Sequence, residues 1–481
     1  MNYGLNEYPD LDHVSAHFRG ELDIILHDVE LLRAGKVFAS GVGCLYNSAP
    51  SQLELELSIP KQSPNSKRES FQTKHKQGGI YEESDLVEMR ASTWDGRVLS
   101  ARFHGPHSIQ HKNRYLLKIV PHSVKIYDHD FSTEPIRRYL PVTIQSVTKN
   151  FDIPGSLALL TELTEKRILE DGSERECSES LSRNWFEFSV GRFEYCLYDY
   201  QTESQIGIRS RGALLDPQLA FHNWIDALRL VTGQGHNISG FRALREENSF
   251  SVLWSVTQKS FGRGSPPLPP GEMSGCHRDL LEAYLNHVNS EKSDFLIPCL
   301  RRFWASLDNA LYVQELVLST CVETMTEGLY KSLPPQVDPE KRPFKILKRR
   351  IAKEFQKKEN QMDSVYKSSI AKAISEASLR SISDKMILVL NFLGVDFTKK
   401  EINSWKAIRN SRAHGKLAGP LSPERRSDYR DTLRLFYKLV LGTVGYDGPI
   451  SALRGEPGDR YQPQLKKQSP PQYLPNREEN K

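Results

Sequence analysis

The spacing of apolar residues changes character once along the 481-residue chain, and that change bounds every fold it can adopt. Up to about residue 210 the dominant period is two. Ser51-Gln-Leu-Glu-Leu-Glu-Leu-Ser58 alternates strictly, which makes a strand with one buried face. After about residue 277 apolar residues recur every three to four positions, the period of an amphipathic helix. Between the two lies Ser265-Pro-Pro-Leu-Pro-Pro-Gly271, where stacked prolines forbid both helix and sheet ladders. The fold class expected is α+β: a β-rich N-terminal region, a sandwich or curved sheet with a few helices, followed by an all-α bundle. The boundaries expected are 1–264 for the β-rich region, 265–276 for a Pro-rich linker, 277–450 for the bundle and 451–481 for a disordered tail.

Within the first part, Leu86 to Thr93 and Val98 to Phe103 read as a hairpin joined at Asp95-Gly96, because Asp-Gly supplies positive φ. Tyr115 to Tyr127 holds two strands broken at Pro121. Trp185 to Val190, Phe193 to Tyr198 and Gln205 to Ile208 continue the series. Lys61 to Gly79 is polar and reads as a loop. Two helices are expected here, Ser156 to Leu169 and Pro217 to Val231, the second opened by Asp216-Pro217. Further on, helices are expected over Ser306 to Leu329, Phe344 to Phe355, Tyr366 to Leu379, Ser383 to Leu393, Lys399 to Ala413 and Pro423 to Leu441.

Composition narrows the class. The chain is 38% hydrophobic and 26% charged, with a mean hydropathy of −0.53, as in water-soluble globular proteins. No run approaches the roughly 18 apolar residues of a membrane span. The acidic start, MNYGLNEYPDLDHV, lacks the basic and apolar regions of a signal peptide. Six scattered cysteines without a CxxC pair read as free thiols, so a cytoplasmic location is expected. No metal-ligand spacing occurs, and neither a metal nor a cofactor is expected. The net charge of +5 is uneven: from residue 300 onward Lys and Arg outnumber Asp and Glu by 33 to 21. A basic C-terminal part suits a polyanion, although a solvated lysine-rich helix surface has the same composition.

One constellation carries chemistry. Lys399 to His414 reads as a helix with Ile402, Trp405 and Ile408 forming its buried stripe. Asn410 and His414 are four apart and share a face; Arg409 and Arg412 flank them. These groups suit phosphodiester cleavage without a metal. His414 can move protons near neutral pH. Arg409 can bind the phosphate and the charge that grows on it. Asn410 can orient the imidazole or the phosphate. One histidine is few for an acid and a base, and a two-fold dimer would supply a second. Arg followed at short spacing by His is weak alone, since Arg102 to His107 repeats the five-residue spacing and Arg97 to His104 comes within two residues of it, both in a strand-and-loop region. Only Arg409 has Asn next to it near the end of an amphipathic helix. Arg412 and the basic helix residues Lys345, Lys348, Arg349 and Arg350 are candidate RNA contacts, or else a solvated face. Glu315 and Glu323 in the long helix can face the site, but such glutamates usually lie on a solvent face. Trp94, at the hairpin turn, and His104, His107, His111, His122 and His129 are candidates for a ligand surface, or ordinary surface residues.

Ile408-Arg-Asn-Ser-Arg-Ala-His-Gly415 resembles the R-N-x-x-x-H signature of the HEPN superfamily. A β-rich region followed by such a bundle resembles, loosely, the ApeA-like bacterial anti-phage proteins. The resemblance implies a homodimeric, metal-independent endoribonuclease acting in abortive infection. Arg409, Asn410 and His414 would be catalytic, RNA (tRNA among the candidates) the substrate, and the N-terminal region the place where a phage-encoded trigger acts. The alternative is a non-catalytic module that binds nucleic acid or a protein partner.

Overall fold

The structure, a computed structural model, describes residues 12–60, 86–103, 107–111, 113–128, 143–149, 159–168, 174–200, 203–211, 216–233, 238–244, 249–255, 264–268, 276–290, 295–334, 337–338, 341–356, 369, 380–413 and 422–451. The chain divides into two compact units, Met1–Phe261 and Gly262–Lys481. Strands fill the first and helices the second, an α+β fold.

The first unit begins with helix α1 (Asp12–Arg19), followed by β1 (Asp23–Arg33), β2 (Lys36–Ala49), β3 (Gln52–Pro60), β4 (Val87–Thr93), β5 (Val98–Phe103), β6 (His107–His111), β7 (Arg114–Ile119) and β8 (Ser123–Tyr127). After these come β9 (Thr143–Lys149), β10 (Leu159–Ile168), β11 (Glu174–Val190), β12 (Phe193–Tyr200), β13 (Glu203–Ser210), helix α2 (Pro217–Thr232), β14 (Gly240–Leu244) and β15 (Ser249–Trp254). All the strands join one sheet in the order β10-β11-β12-β13-β9-β14-β15-β8-β5-β4-β1-β2-β3-β7-β6. The expected hairpin is β4–β5, with Gly96 at φ +81° in its turn.

The sheet curls on itself. β3 and β15 stand six places apart, roughly 29 Å in a flat sheet at about 4.8 Å per strand. Yet Leu53 N donates to Ser255 Oγ at 3.2 Å, and that hydroxyl donates to Leu53 O at 3.4 Å. The apolar faces of β1 to β5, β7 and β8 accordingly meet Leu253 of β15 in one core. Helix α1 packs against β9, β14 and β15. Its His17 is fully buried and bonds Trp254 O through Nε2 at 2.9 Å, while Asn47 Nδ2 bonds its Nδ1 at 2.9 Å. Burial lowers the His17 pKa, and these partners fit a neutral imidazole protonated on Nε2.

Helix α2 covers the other half of the sheet. Asp216 caps it by accepting from Leu219 N, Pro217 sets the first turn, and Gly233 ends it at φ 67°. Its Trp224, fully buried, packs on Tyr195 and Phe188, with ring centroids 4.9 and 5.5 Å apart. The other helix expected in this region, Ser156 to Leu169, is wrong. Leu159–Ile168 is strand β10, paired antiparallel with β11 from Leu159↔Trp185 to Ile168↔Glu174. A ladder partner overrides the helical spacing of a segment rich in threonine and β-branched residues.

The second unit holds α3 (Cys276–Val288), α4 (Leu296–Ser306), α5 (Leu311–Ser332), α6 (Lys341–Gln356), α7 (Ile382–Leu393), α8 (Lys399–Ala413) and α9 (Pro423–Val444). Helix α5 is central and packs against α4, α7, α8 and α9. Leu318, Cys321, Val322 and Met325 of α5 are fully buried, as are Leu300, Met386, Trp405 and Phe436 around them. Gly328 permits one close approach, since a Cβ there would stand 2.7 Å from the Phe295 ring. Ser381 and Asp384 form a capping box at α7, and Gly394 ends that helix at φ 67°. The helix expected over Ser306 to Leu329 starts later than that, at Leu311. Leu307 to Ala310 make a turn closed by Gln314 Nε2, which donates to Leu307 O at 3.1 Å and Asn309 O at 2.8 Å. Asp308-Asn309 favours such a turn over a continuous helix.

The prolines after Ser265 form neither helix nor strand over 264–268, but this stretch is no free tether. Leu268 is fully buried, Ser265 O accepts from Tyr437 Oη at 2.7 Å, and Pro267 O accepts from Ser451 N at 2.7 Å. Cys44, Cys196, Cys276, Cys299 and Cys321 are free thiols. Among the described residues no helix is long and apolar enough to cross a membrane. The expected loop at Lys61 to Gly79 and nearly all of the expected helix over Tyr366 to Leu379 lie outside the described residues. So does the tail from Gly455.

Candidate active site

Helix α8 carries the candidate residues, and its own sequence fixes its rotation. Ile402, Trp405 and Ile408 are 5%, 0% and 4% exposed, the stripe expected from their spacing. Trp405 Nε1 donates to Ser319 O on α5 at 3.2 Å, which locks the helix axially. At its start Glu401 N donates to Thr398 Oγ1 at 3.2 Å and Thr398 N to Glu401 Oε2 at 2.8 Å, a reciprocal cap. Glu401 is also buried against Lys438 Nζ of α9 at 2.8 Å, with Arg434 Nη1 at 3.8 Å. Ser404 Oγ donates to Asp428 Oδ1 at 2.8 Å.

With the helix so held, Arg409 emerges half-buried toward α5. Its Nε donates to Glu323 Oε2 at 2.8 Å and its Nη2 to Glu323 Oε1 at 3.0 Å. Its Cζ lies 5.8 Å from the Trp405 ring centroid. The Glu323 hydrogen bonds, against a smaller effect of burial, hold the guanidinium pKa above its ordinary value. This side-on contact occupies Nε and Nη2, and among the described residues no hydrogen-bond partner of Nη1 is seen, so that nitrogen can meet an anionic oxygen. Asn410, one residue on, is exposed. His414 lies outside the described residues, as do the side chains of Arg412 and Lys348.

Sequence spacing gave no sign of a second clamp. Arg425, in the first turn of α9, donates from Nε to Glu315 Oε1 at 2.7 Å and from Nη2 to Glu315 Oε2 at 2.8 Å. Glu315 is fully buried, so the expectation of a solvent-face glutamate is corrected. Its desolvation is offset by the bidentate Arg425, a partner 110 residues away that no local pattern announces. Glu323 is likewise engaged rather than simply solvated. Glu315 and Glu323 are eight residues apart on α5, about 12 Å at 1.5 Å per residue. They pin the end of α8 and the start of α9, the two flanks of the segment that carries His414.

The other candidates are scattered. Lys345, Arg349 and Arg350 are exposed along α6, and no described hydrogen bond or ion pair joins them to Arg409. His122 is exposed, whereas His104 and His129 lie outside the described residues and the side chains of His107 and His111 are not described. Compared with family models, with curated proteins and with solved structures, the chain matches none.

Proposed function

We propose that the helical unit is a metal-independent endoribonuclease of the HEPN type, acting in anti-phage defence by abortive infection. The observation that carries this reading is the Arg409 clamp: a guanidinium fixed by Glu323 near the end of α8, beside exposed Asn410 and five residues before His414 in the sequence. In this reading Arg409 binds the scissile phosphate and the charge that develops on it. His414 takes the proton of the ribose 2′-OH, and a second His414 across a homodimer protonates the 5′-oxygen that leaves. The products are a 2′,3′-cyclic phosphate and a 5′-hydroxyl. Asn410 orients the imidazole or the phosphate. Arg412, Lys345, Lys348, Arg349 and Arg350 follow the RNA backbone, tRNA being one candidate substrate. The work is done in the cytoplasm, with a phage-encoded trigger acting on the β-rich unit.

The same clamp favours a second reading. An arginine already satisfied by a glutamate is a sound structural ion pair, and the unit would then be a non-catalytic module for nucleic acid or a protein. Purified chain incubated with RNA in excess EDTA separates the two. Fragments ending in cyclic phosphate, lost in Arg409→Ala and His414→Ala, support catalysis. Unchanged RNA that is retained in a complex supports the binding module.

A further inference from the structure

The β-rich unit contains a cavity of about 320 Å³ that the ribonuclease reading does not use. It opens where α1 meets the starts of β1 and β5, and its wall includes His13, Ile25, Thr93, Trp94, Asp95 and Arg97. Ligand cavities start at about 300 Å³, so this one admits a group the size of a side chain rather than a nucleotide.

Its lip is apolar and unusually bare. Trp94 is 79% exposed and Ile25 62% exposed. Ile25 pairs with Cys44 on β2, which puts half-exposed Val42 on the same face two residues along. Leu26 pairs with Thr93, which sets Trp94 next to Ile25. The His27 ring lies 4.8 Å from the indole and supports it from the strand side. A single exposed aliphatic residue is ordinary; an exposed tryptophan beside an exposed isoleucine in a cavity wall, with Val42 further along the same sheet face, marks a contact surface.

The site is also preformed. Thr93 Oγ1 donates to Asp95, Arg97 N donates to Thr93 Oγ1 at 3.0 Å, and Gly96 N donates to Thr93 O at 3.1 Å, which stiffens the turn that presents Trp94. Arg97, the cation of the wall, is engaged by Asp95 at 3.1 Å and donates to His13 Nε2. Burial first, and then Arg97, lower the His13 pKa to about 4, so the ring is a neutral acceptor. Asp23, in the wall, is exposed and negative; Asp28, further along β1, has 85% of its side chain open and meets His27 Nδ1, whose ring lies against the Trp94 indole.

We propose that this cavity is a docking site for a peptide segment of another protein, one that seats an aromatic or large aliphatic side chain and flanks it with lysine or arginine. The apolar residue fills the cavity beside Ile25. The flanking cation lies over the exposed indole and faces Asp23 and Asp28. An anionic ligand is disfavoured, because Arg97 is neutralised within the wall and the rim is acidic.

The test is selection of displayed random ten-residue peptides on the full-length chain and, in parallel, on Trp94→Ala, with circular dichroism showing that the two fold alike. The expected enrichment is an aromatic or branched apolar residue between basic residues, on the unsubstituted chain only. A synthetic peptide of the enriched sequence should bind at least ten-fold tighter to the unsubstituted chain than to Trp94→Ala or to Asp23→Asn/Asp28→Asn, and more weakly as salt rises. Equal enrichment on Trp94→Ala, enrichment of acidic peptides, or no enrichment overturns the proposal. None of these outcomes depends on RNA cleavage.

Discussion

Arg409 of α8 and Glu323 of α5 meet side-on, Nε to Oε2 at 2.8 Å and Nη2 to Oε1 at 3.0 Å, with the guanidinium also facing the Trp405 ring. Both side chains are a little over one-third exposed, so the pair contributes little to stability, under about 1 kcal/mol. What it fixes is direction. A free arginine explores many rotamers, whereas this one presents its remaining edge at one place on the end of α8.

Glu323→Gln tests that role. The amide keeps the shape but loses the charge and one acceptor. On the proposed ribonuclease reading, RNA cleavage should fall about ten-fold while the unfolding midpoint barely moves, because a misaligned guanidinium costs more in a transition state than in the ground state. A rise in cleavage on the same substitution would make Glu323 a block on Arg409 rather than its guide.

Glu401 makes the opposite kind of ion pair. It is 1% exposed and faces two buried cations, Lys438 and Arg434. Glu401→Gln removes the carboxylate that Lys438 Nζ bonds through both oxygens and should destabilise the helical unit by about 3–5 kcal/mol, measured by denaturant unfolding. Lys438→Met should cost less, since Arg434 still faces the carboxylate.

Trp405 anchors α8 without chemistry of its own. It is fully buried and donates to Ser319 O. Trp405→Ala should cost about 3–5 kcal/mol, and Trp405→Phe less, roughly the cost of one lost hydrogen bond plus a small cavity. Differential scanning calorimetry of the two variants checks the order.

His277 on α3 sets an acid limit. It is 3% exposed, and burial lowers its pKa from 6.5 to about 4. The unfolded chain therefore binds a proton more readily than the folded one. The stabilisation is complete above about pH 6.5 and is lost as pH falls toward 4, on the order of 3 kcal/mol in all. His277→Leu should flatten the fall in helical stability between pH 7 and pH 4.5, followed by circular dichroism in urea. An unchanged slope would show that other groups set the acid limit.

Much of this was legible from spacing alone. The strand over Ser51 to Ser58, the Asp95-Gly96 hairpin and the Ile402-Trp405-Ile408 stripe are local patterns, and local patterns survive folding. The strand Leu159–Ile168 was not legible, because its ladder with β11 is a tertiary fact. Glu315 with Arg425 and Glu323 with Arg409 pair across 110 and 86 residues, beyond any periodicity. The closure of the sheet through Leu53 and Ser255 spans 202 residues and is hidden for the same reason.

The most direct measurement is of RNA ends in phage-challenged bacteria that express the chain, Arg409→Ala or His414→Ala at matched levels. Ribonuclease action at this helix end predicts new 5′-hydroxyl and 2′,3′-cyclic phosphate ends, with growth arrest, from the unsubstituted chain alone. The same ends and the same protection in both variants would contradict it, and would leave Arg409 a structural ion pair in a binding module.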